Sequence, residues 1–265
     1  MPNAIINGVD LYYESHGEGI PLLLVAGLAS DSQSWQPILA ELSRSYNVII
    51  FDNRGVGRTK PQDVETSIQL MADDCIGLIK HLGLKSVNLL GHSMGGFVAL
   101  DCAIRYPQYI SNLILAASSA FISERNNELF HDWISYLENG MKTELWFRNM
   151  FYWIFTKRFF KNERELDVAV QLAIEYPFPQ TKTAFRNQVN AIKEFNCSND
   201  LAGIQLKTMV ICGKEDLLIT PEDSSETLGR IPGVRFSYVD HAAHAIHMEK
   251  PKEFVNLIRL FLGLA

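Results

Sequence analysis

The chain has 265 residues, 47% hydrophobic and 20% charged, which suits one large α/β domain or two small ones in an ordinary globular protein. Its net charge of −6 argues against nucleic acid as a partner, because phosphate binding leaves a basic footprint. Cys75, Cys102, Cys197 and Cys212 are scattered without a CxxC pair and read as reduced core residues. Met1-Pro2-Asn3-Ala4 shows no signal peptide, and no apolar run approaches the ~20 residues of a membrane span. The expectation is a cytoplasmic protein.

Ile5–Glu14 holds two apolar patches around Gly8-Val9-Asp10 and reads as a β-hairpin. An alternating rhythm follows. Leu22–Val25 is a strand-sized run, then comes a helix from about Trp35 to Ser43. Val48–Phe51 precedes the loop Asp52–Lys60 and a helix from about Thr66 to Leu82, with Gly83 placed as a C-terminal glycine. Val87–Leu90 leads into a helix from about Gly95 to Tyr106, stopped by Pro107, and Leu113–Ala117 is the next run. Short unbroken apolar runs suit strands buried on both faces, and intervening helices imply parallel crossovers.

The rhythm lapses from about Phe121 to Asn196, which is aromatic and helix-like, and resumes with Met209–Cys212. A helix after Pro221, the strand Arg235–Val239 and a helix from Lys252 to Leu262 follow. The predicted organisation is an α/β core of residues 1–120 and 197–265, with a helical cap at 121–196 inserted as a lid over the sheet's C-terminal edge, where ligands bind in such folds.

Gly91-His92-Ser93-Met94-Gly95 matches G-x-S-x-G directly after a predicted strand and at the opening of a predicted helix. The pattern suits a serine at the tip of a sharp turn, with small neighbours and backbone N–H groups pointing towards it. A serine hydroxyl needs a base. His241, His244 and His247 are the candidates, and Asp216, with Glu215 as runner-up, follows a late strand in the order Ser, acid, His. Three histidines spaced by three also raise a metal reading, but no cysteine or acidic ligand set accompanies them; neither metal nor cofactor is expected. His92 reads as a structural neighbour of the serine. Arg54-Gly55-Val56-Gly57-Arg58 lacks the order of a phosphate loop.

Taken together, Leu23–Leu28 with Ser30, Phe51–Arg58, Gly91–Gly96, Gly213–Asp216 and His244–Pro251 resemble the α/β-hydrolase superfamily over nearly the whole chain, in particular small esterases and lactonases such as 3-oxoadipate enol-lactonase. The resemblance implies the α/β-hydrolase fold, a mostly parallel sheet flanked by helices with an inserted helical cap. Its H-x(4)-E-x-P frame selects His244 from the three histidines as the base, and the resemblance implies Ser93 as nucleophile with Asp216 as the orienting acid. It also implies an oxyanion hole from the backbone N–H groups of Leu28 and Met94, and a structural role for Asp52 and Arg54. Ala26 departs from the family, which commonly has histidine before that glycine; the backbone donors survive, but the loop's support differs.

The implied reaction is hydrolysis of a carboxylic ester or lactone through an acyl-enzyme. Similar triads also serve C–C hydrolases, hydroxynitrile lyases, perhydrolases and ligand receptors, so fold alone does not choose. In the cap, Lys142, Arg148, Lys157, Arg158 and Lys161 stand against Glu144 amid many aromatics. One reading is inward aromatics with solvated cations outside. The other is an apolar pocket, with Trp146, Phe151 and Trp153 as substrate-binding residues, whose entrance attracts an anionic or carrier-protein-linked substrate.

Overall fold

The computed structural model describes residues 3–263. Among the described residues, eight strands form one sheet in the order β1-β2-β4-β3-β5-β6-β7-β8. They are β1 (Asn3–Ile6), β2 (Val9–His16), β3 (Ile20–Val25), β4 (Tyr46–Phe51), β5 (Val87–His92), β6 (Ile110–Ala116), β7 (Thr208–Gly213) and β8 (Arg235–Val239). β1 pairs antiparallel with β2, and β2 with β4; the other pairings are parallel. The first hairpin turns one residue earlier than expected. Asn7 (φ 45°) and Gly8 (φ 82°) make the turn, and Val9 and Asp10 already belong to β2. A two-residue turn of this kind needs two left-handed residues, which Asn-Gly supplies and Val-Asp does not.

The helices are α1 (Gln36–Leu42), α2 (Ile68–His81), α3 (Met94–Arg105), α4 (Glu124–Glu138), α5 (Thr143–Ile154), α6 (Glu163–Ile174), α7 (Lys182–Glu194), α8 (Pro221–Leu228), α9 (Ile246–Glu249) and α10 (Pro251–Leu262). The helix expected from Trp35 starts instead as a 3-10 turn at Ser32–Trp35, because Asp31 caps the Gln33 amide. Ser67 caps α2, and Gly83 follows it with φ 66°.

Successive strand residues face opposite cores. Leu23 and Val25 pack with α2, α3 and the helices of the 121–196 stretch; Leu22 and Leu24 pack with α1 and α10. Both faces are apolar because both are covered.

The chain leaves the sheet after β6 and returns at β7, the neighbouring strand, with α4 to α7 between them. An antiparallel bridge between Phe121 and Asn196 joins the two ends of that excursion. All four cysteines are free and buried.

The junction of β5 and α3 is the tightest part of the fold. Ser93 has φ 54° and ψ −120°, a conformation that costs a non-glycine residue about 1–3 kcal/mol. A Cβ on Gly91 would lie 2.1 Å from the Gly95 carbonyl oxygen, and one on Gly95 would lie 2.1 Å from the Val25 oxygen. These are backbone neighbours that cannot rotate away. Gly95→Ala is therefore expected to lower folding stability by at least ~3 kcal/mol, or to prevent soluble expression, as read by urea denaturation.

Candidate active site

The sheet's C-terminal edge gathers four loops. Gly27–Ser30 follows β3, Ser93 follows β5, Asp216 follows β7 and His244 follows β8. Ser93 N donates to Ala116 O at 2.9 Å, and its own carbonyl accepts from Ser118 Oγ at 3.1 Å and Gly96 N at 2.8 Å. The turn is thus pinned on both sides while the side chain stays partly exposed.

Asp216 is buried and its two oxygens have separate partners. Oδ1 accepts from Leu218 N at 2.8 Å and Ile219 N at 3.1 Å; Oδ2 lies 2.9 Å from His244 Nδ1. A carboxylate oxygen accepts, so the hydrogen of this bond sits on Nδ1 and Nε2 is turned away from Asp216. Among the described residues, the Leu28 and Met94 amides have no protein acceptor.

Glu215 and His241 meet each other instead, at 3.3 Å on the surface. His247 lies under the site with its ring 4.8 Å from Trp35 and 4.7 Å from His92, and neither of its nitrogens finds a partner. The three C-terminal histidines therefore diverge. His92 Nε2 donates to the His244 carbonyl at 2.8 Å, which ties the serine turn to the histidine loop. Burial, with His247 and His244 nearby, holds the His92 pKa well below the usual imidazole value.

Glu249 anchors the same loop. Its Oε2 accepts from Ala243 N at 2.8 Å, and its Oε1 accepts from Thr156 N at 3.0 Å and Thr156 Oγ1 at 2.7 Å. Ala245 N adds a bond to Ile154 O at 3.0 Å. From α4, Asn126 Nδ2 and Arg125 Nη2 donate to the carbonyls of Leu218 and Leu217 in the acid loop. The roles of Asn126, Thr156 and Gln188 escape sequence reading. Gln188 alone leaves a trace, as a polar residue on α7's buried stripe of Phe185, Val189 and Ile192. Asp52 accepts from Ser32 and Arg58, and Arg54 forms a buried bidentate pair with Asp74, so both brace the loop beside the site.

Ser93, His244 and Leu28 line one cavity of about 90 Å³, walled by Phe130, Trp133, Met150, Ile154, Leu218 and Met248. A larger hollow of about 320 Å³ between α4 and α7 holds Glu124, His131 and Lys193 but none of the candidate site residues. Trp146, Phe151 and Trp153 do not line the cavity, in contrast to the sequence expectation. Trp146 packs on Phe185 and donates to Trp133 O, Phe151 packs on Leu166 and Val170 of α6, and Trp153 faces Arg125. The helical stretch uses these aromatics to bury its own helices against one another. Its cations also stay out of the cavity: Arg148 pairs with Glu144 and Asp167, while Lys157, Arg158 and Lys161 are exposed.

Residues 20–162, more than half of the chain, match the family model for the α/β-hydrolase fold. The chain belongs to the α/β-hydrolase fold family. This α/β hydrolase is 28% identical to a proposed carbamate hydrolase of Azorhizobium caulinodans, over 99% of this chain and 98% of that protein. Among solved structures, it superposes on the enol-lactonase from Burkholderia xenovorans with a TM-score of 0.88 at 24% identity, covering 99% of this chain and 100% of the other. A thermophilic esterase from Thermogutta terrifontis gives 0.85 at 27%, covering 96% and 93%. Among the described residues of this α/β hydrolase, no helix is long and apolar enough to cross a membrane.

Burial depresses the His247 pKa from 6.5 to about 3. Between those values the unfolded chain binds a proton that the folded one refuses. The His247 contribution to stability is thus complete above about pH 6.5 and is lost as pH falls towards about 3. Urea unfolding of His247→Leu between pH 4 and 6 is expected to show a slope of stability against pH shallower by ~1.4 kcal/mol per unit than the unsubstituted protein. An unchanged slope would place the His247 proton elsewhere.

Proposed function

We propose that this chain hydrolyses a compact, uncharged carboxylic ester or lactone through an acyl-enzyme on Ser93. Ser93 Oγ attacks the carbonyl carbon while His244 Nε2 takes its proton. The carbonyl electron pair moves to oxygen, where the Leu28 and Met94 N–H groups receive it. The intermediate collapses, His244 returns the proton to the leaving oxygen, and the alcohol departs. In a lactone that oxygen stays tethered to the acyl group. Water then repeats the sequence on the acyl-enzyme, with His244 again as base, and frees the acid and Ser93. Asp216 holds the His244 tautomer and stabilises the imidazolium.

The observation that carries this reading is the 2.9 Å contact between His244 Nδ1 and Asp216 Oδ2, with His244 and Ser93 on one cavity beside two unengaged amides. Relatives named for carbamate, lactone and ester substrates fit it, because all three reactions begin with attack on a carbonyl.

The cavity also bears on the substrate. None of the residues lining it is Asp, Glu, Lys or Arg, so an anionic group placed there would lose its hydration without gaining a counter-charge. A volume of about 90 Å³ is small beside the ~300–1,000 Å³ of pockets that take drug-sized ligands. For p-nitrophenyl acetate against mono-p-nitrophenyl succinate, kcat/KM is expected to favour the neutral ester by ~10-fold or more. Equal values would remove the charge argument.

A fluorophosphonate probe is expected to label Ser93, as mapped by mass spectrometry. Ser93→Ala and Asp216→Asn are each expected to lower kcat on p-nitrophenyl acetate by ~10³–10⁴-fold, while Glu215→Gln and His241→Asn leave it within about twofold. Undiminished turnover by the Ser93→Ala protein would sink the mechanism.

A further inference from the structure

The direction of the Leu28 N–H in the loop Gly27–Ser30 is set by the bonds on either side of it, including Ser30 Oγ donating to Leu28 O at 3.4 Å. Two planar peptide units flank Leu28. In the first, the Gly27 carbonyl accepts from Ser30 N at 3.3 Å. The carbonyl and N–H of a trans peptide point in opposite directions, so this bond sets the line of the Leu28 N–H. In the second, Ala29 N donates to Gln188 Oε1 at 3.3 Å. Ala29 has φ 56°, a left-handed conformation that an alanine leaves unless held. With both planes fixed, the two dihedrals of Leu28 between them are fixed as well.

Gln188 is well placed to hold that plane. It comes from α7, is fully buried, and has Nε2 donating to Arg54 O at 3.1 Å. Its Oε1 also accepts from Gln180 Nε2 at 3.0 Å, and Gln180 Nε2 donates to Gly55 O at 2.8 Å. The amide orientation follows from chemistry, because Arg54 O only accepts and Ala29 N only donates. A lone polar side chain with these partners, on an otherwise apolar helix face, does more than fill space.

We propose that Gln188 is a positioning residue of the oxyanion hole: from α7 it clamps the Ala29 peptide and thereby directs the Leu28 N–H at the reacting carbonyl oxygen. The proposal rests on the acyl-transfer reading of Ser93 given above.

Two variants separate aiming from packing. Gln188→Leu keeps the bulk and removes the acceptor. Gln188→Glu keeps it: burial favours the protonated carboxyl, which accepts from Ala29 N–H and donates to Arg54 O. The measurements are kcat and KM for p-nitrophenyl acetate and inhibition by a trifluoromethyl ketone, whose adduct with Ser93 carries its charge on the oxyanion. For Gln188→Leu, kcat is expected to fall about 10- to 100-fold with KM within about threefold, the size of loss that a misaimed group brings. Ketone affinity should fall by the same factor as kcat/KM. Gln188→Glu is expected to stay within about fivefold of the unsubstituted kcat. A packing role reverses the order, with leucine tolerated and the ionisable side chain harmful.

An unaffected Gln188→Leu enzyme, or a Gln188→Glu enzyme worse than it, overturns the role of Gln188. Should the leucine variant fail to fold, the glutamate variant decides alone, and a kcat loss beyond about tenfold in folded protein overturns it. If the unsubstituted protein neither labels at Ser93 with fluorophosphonate nor turns over the ester, the acyl-transfer reading falls and this proposal with it. Labelling and turnover beside an unaffected leucine variant removes the Gln188 proposal alone.

Discussion

The site depends on close backbone-to-backbone packing at a single turn. Where β5 becomes α3, the Gly91 and Gly95 positions press on the Gly95 and Val25 carbonyls with no room for a Cβ. Because β3 and β5 are hydrogen-bonded neighbours, this packing also carries the loop after β3 against the serine turn. A Cβ on Gly27 would lie 3.2 Å from Ser93 Cβ and from His92 Nδ1. The Ser93 strain of about 1–3 kcal/mol is modest beside the burial around it. Phe97, Val98 and Leu100 of α3 are all essentially buried, and each such side chain contributes ~1.5–3 kcal/mol.

The helical excursion is both the wall of the cavity and the frame of its loops. Asn126 and Arg125 hold the acid loop at Leu218 and Leu217. Ile154 and Thr156 hold the histidine loop, directly at Ala245 and through Glu249 at Ala243. Gln188 holds the loop after β3. Phe130, Trp133, Met150 and Ile154 meanwhile face the cavity from the same helices. A change of pocket shape in α4 or α5 therefore reaches the polar groups around Ser93 through short, stiff connections.

Electrostatics beneath the site follow from burial. His92, His244 and His247 have ring centroids about 5 Å apart or less where they are in contact. Two protonated rings at that separation in a low-dielectric interior would repel strongly. Desolvation keeps His92 and His247 neutral. His244 is the one ring of the three whose Nδ1 faces a buried carboxylate, Asp216 Oδ2 at 2.9 Å.

The sequence by itself determined the strand-and-helix rhythm and the sharp turn at Ser93, because apolar runs, caps and glycine demands are local properties of a few consecutive residues. The chain order of serine, acid and histidine was equally legible, and the resemblance of His244–Pro251 to a family frame singled out one histidine of three. Only the tertiary structure decided the partners. Glu215 and Asp216 are adjacent, as residues of a turn must be, and packing alone sends one to the surface with His241 and the other into the interior with His244. Which residue of each apolar strand faces α3 and which faces α10 was likewise undetermined, since a strand buried on both sides carries no polar alternation. The aromatics of α5 were visible, but a helix face that packs on another helix and one that lines a cavity share the same apolar periodicity. Trp146, Phe151 and Trp153 therefore went to internal packing, and the walls came from Phe130, Trp133, Met150 and Ile154. Gln188 was hidden for the same reason: its partners Ala29 and Arg54 lie more than 130 residues away in the chain, and only the folded sheet brings them within a hydrogen bond.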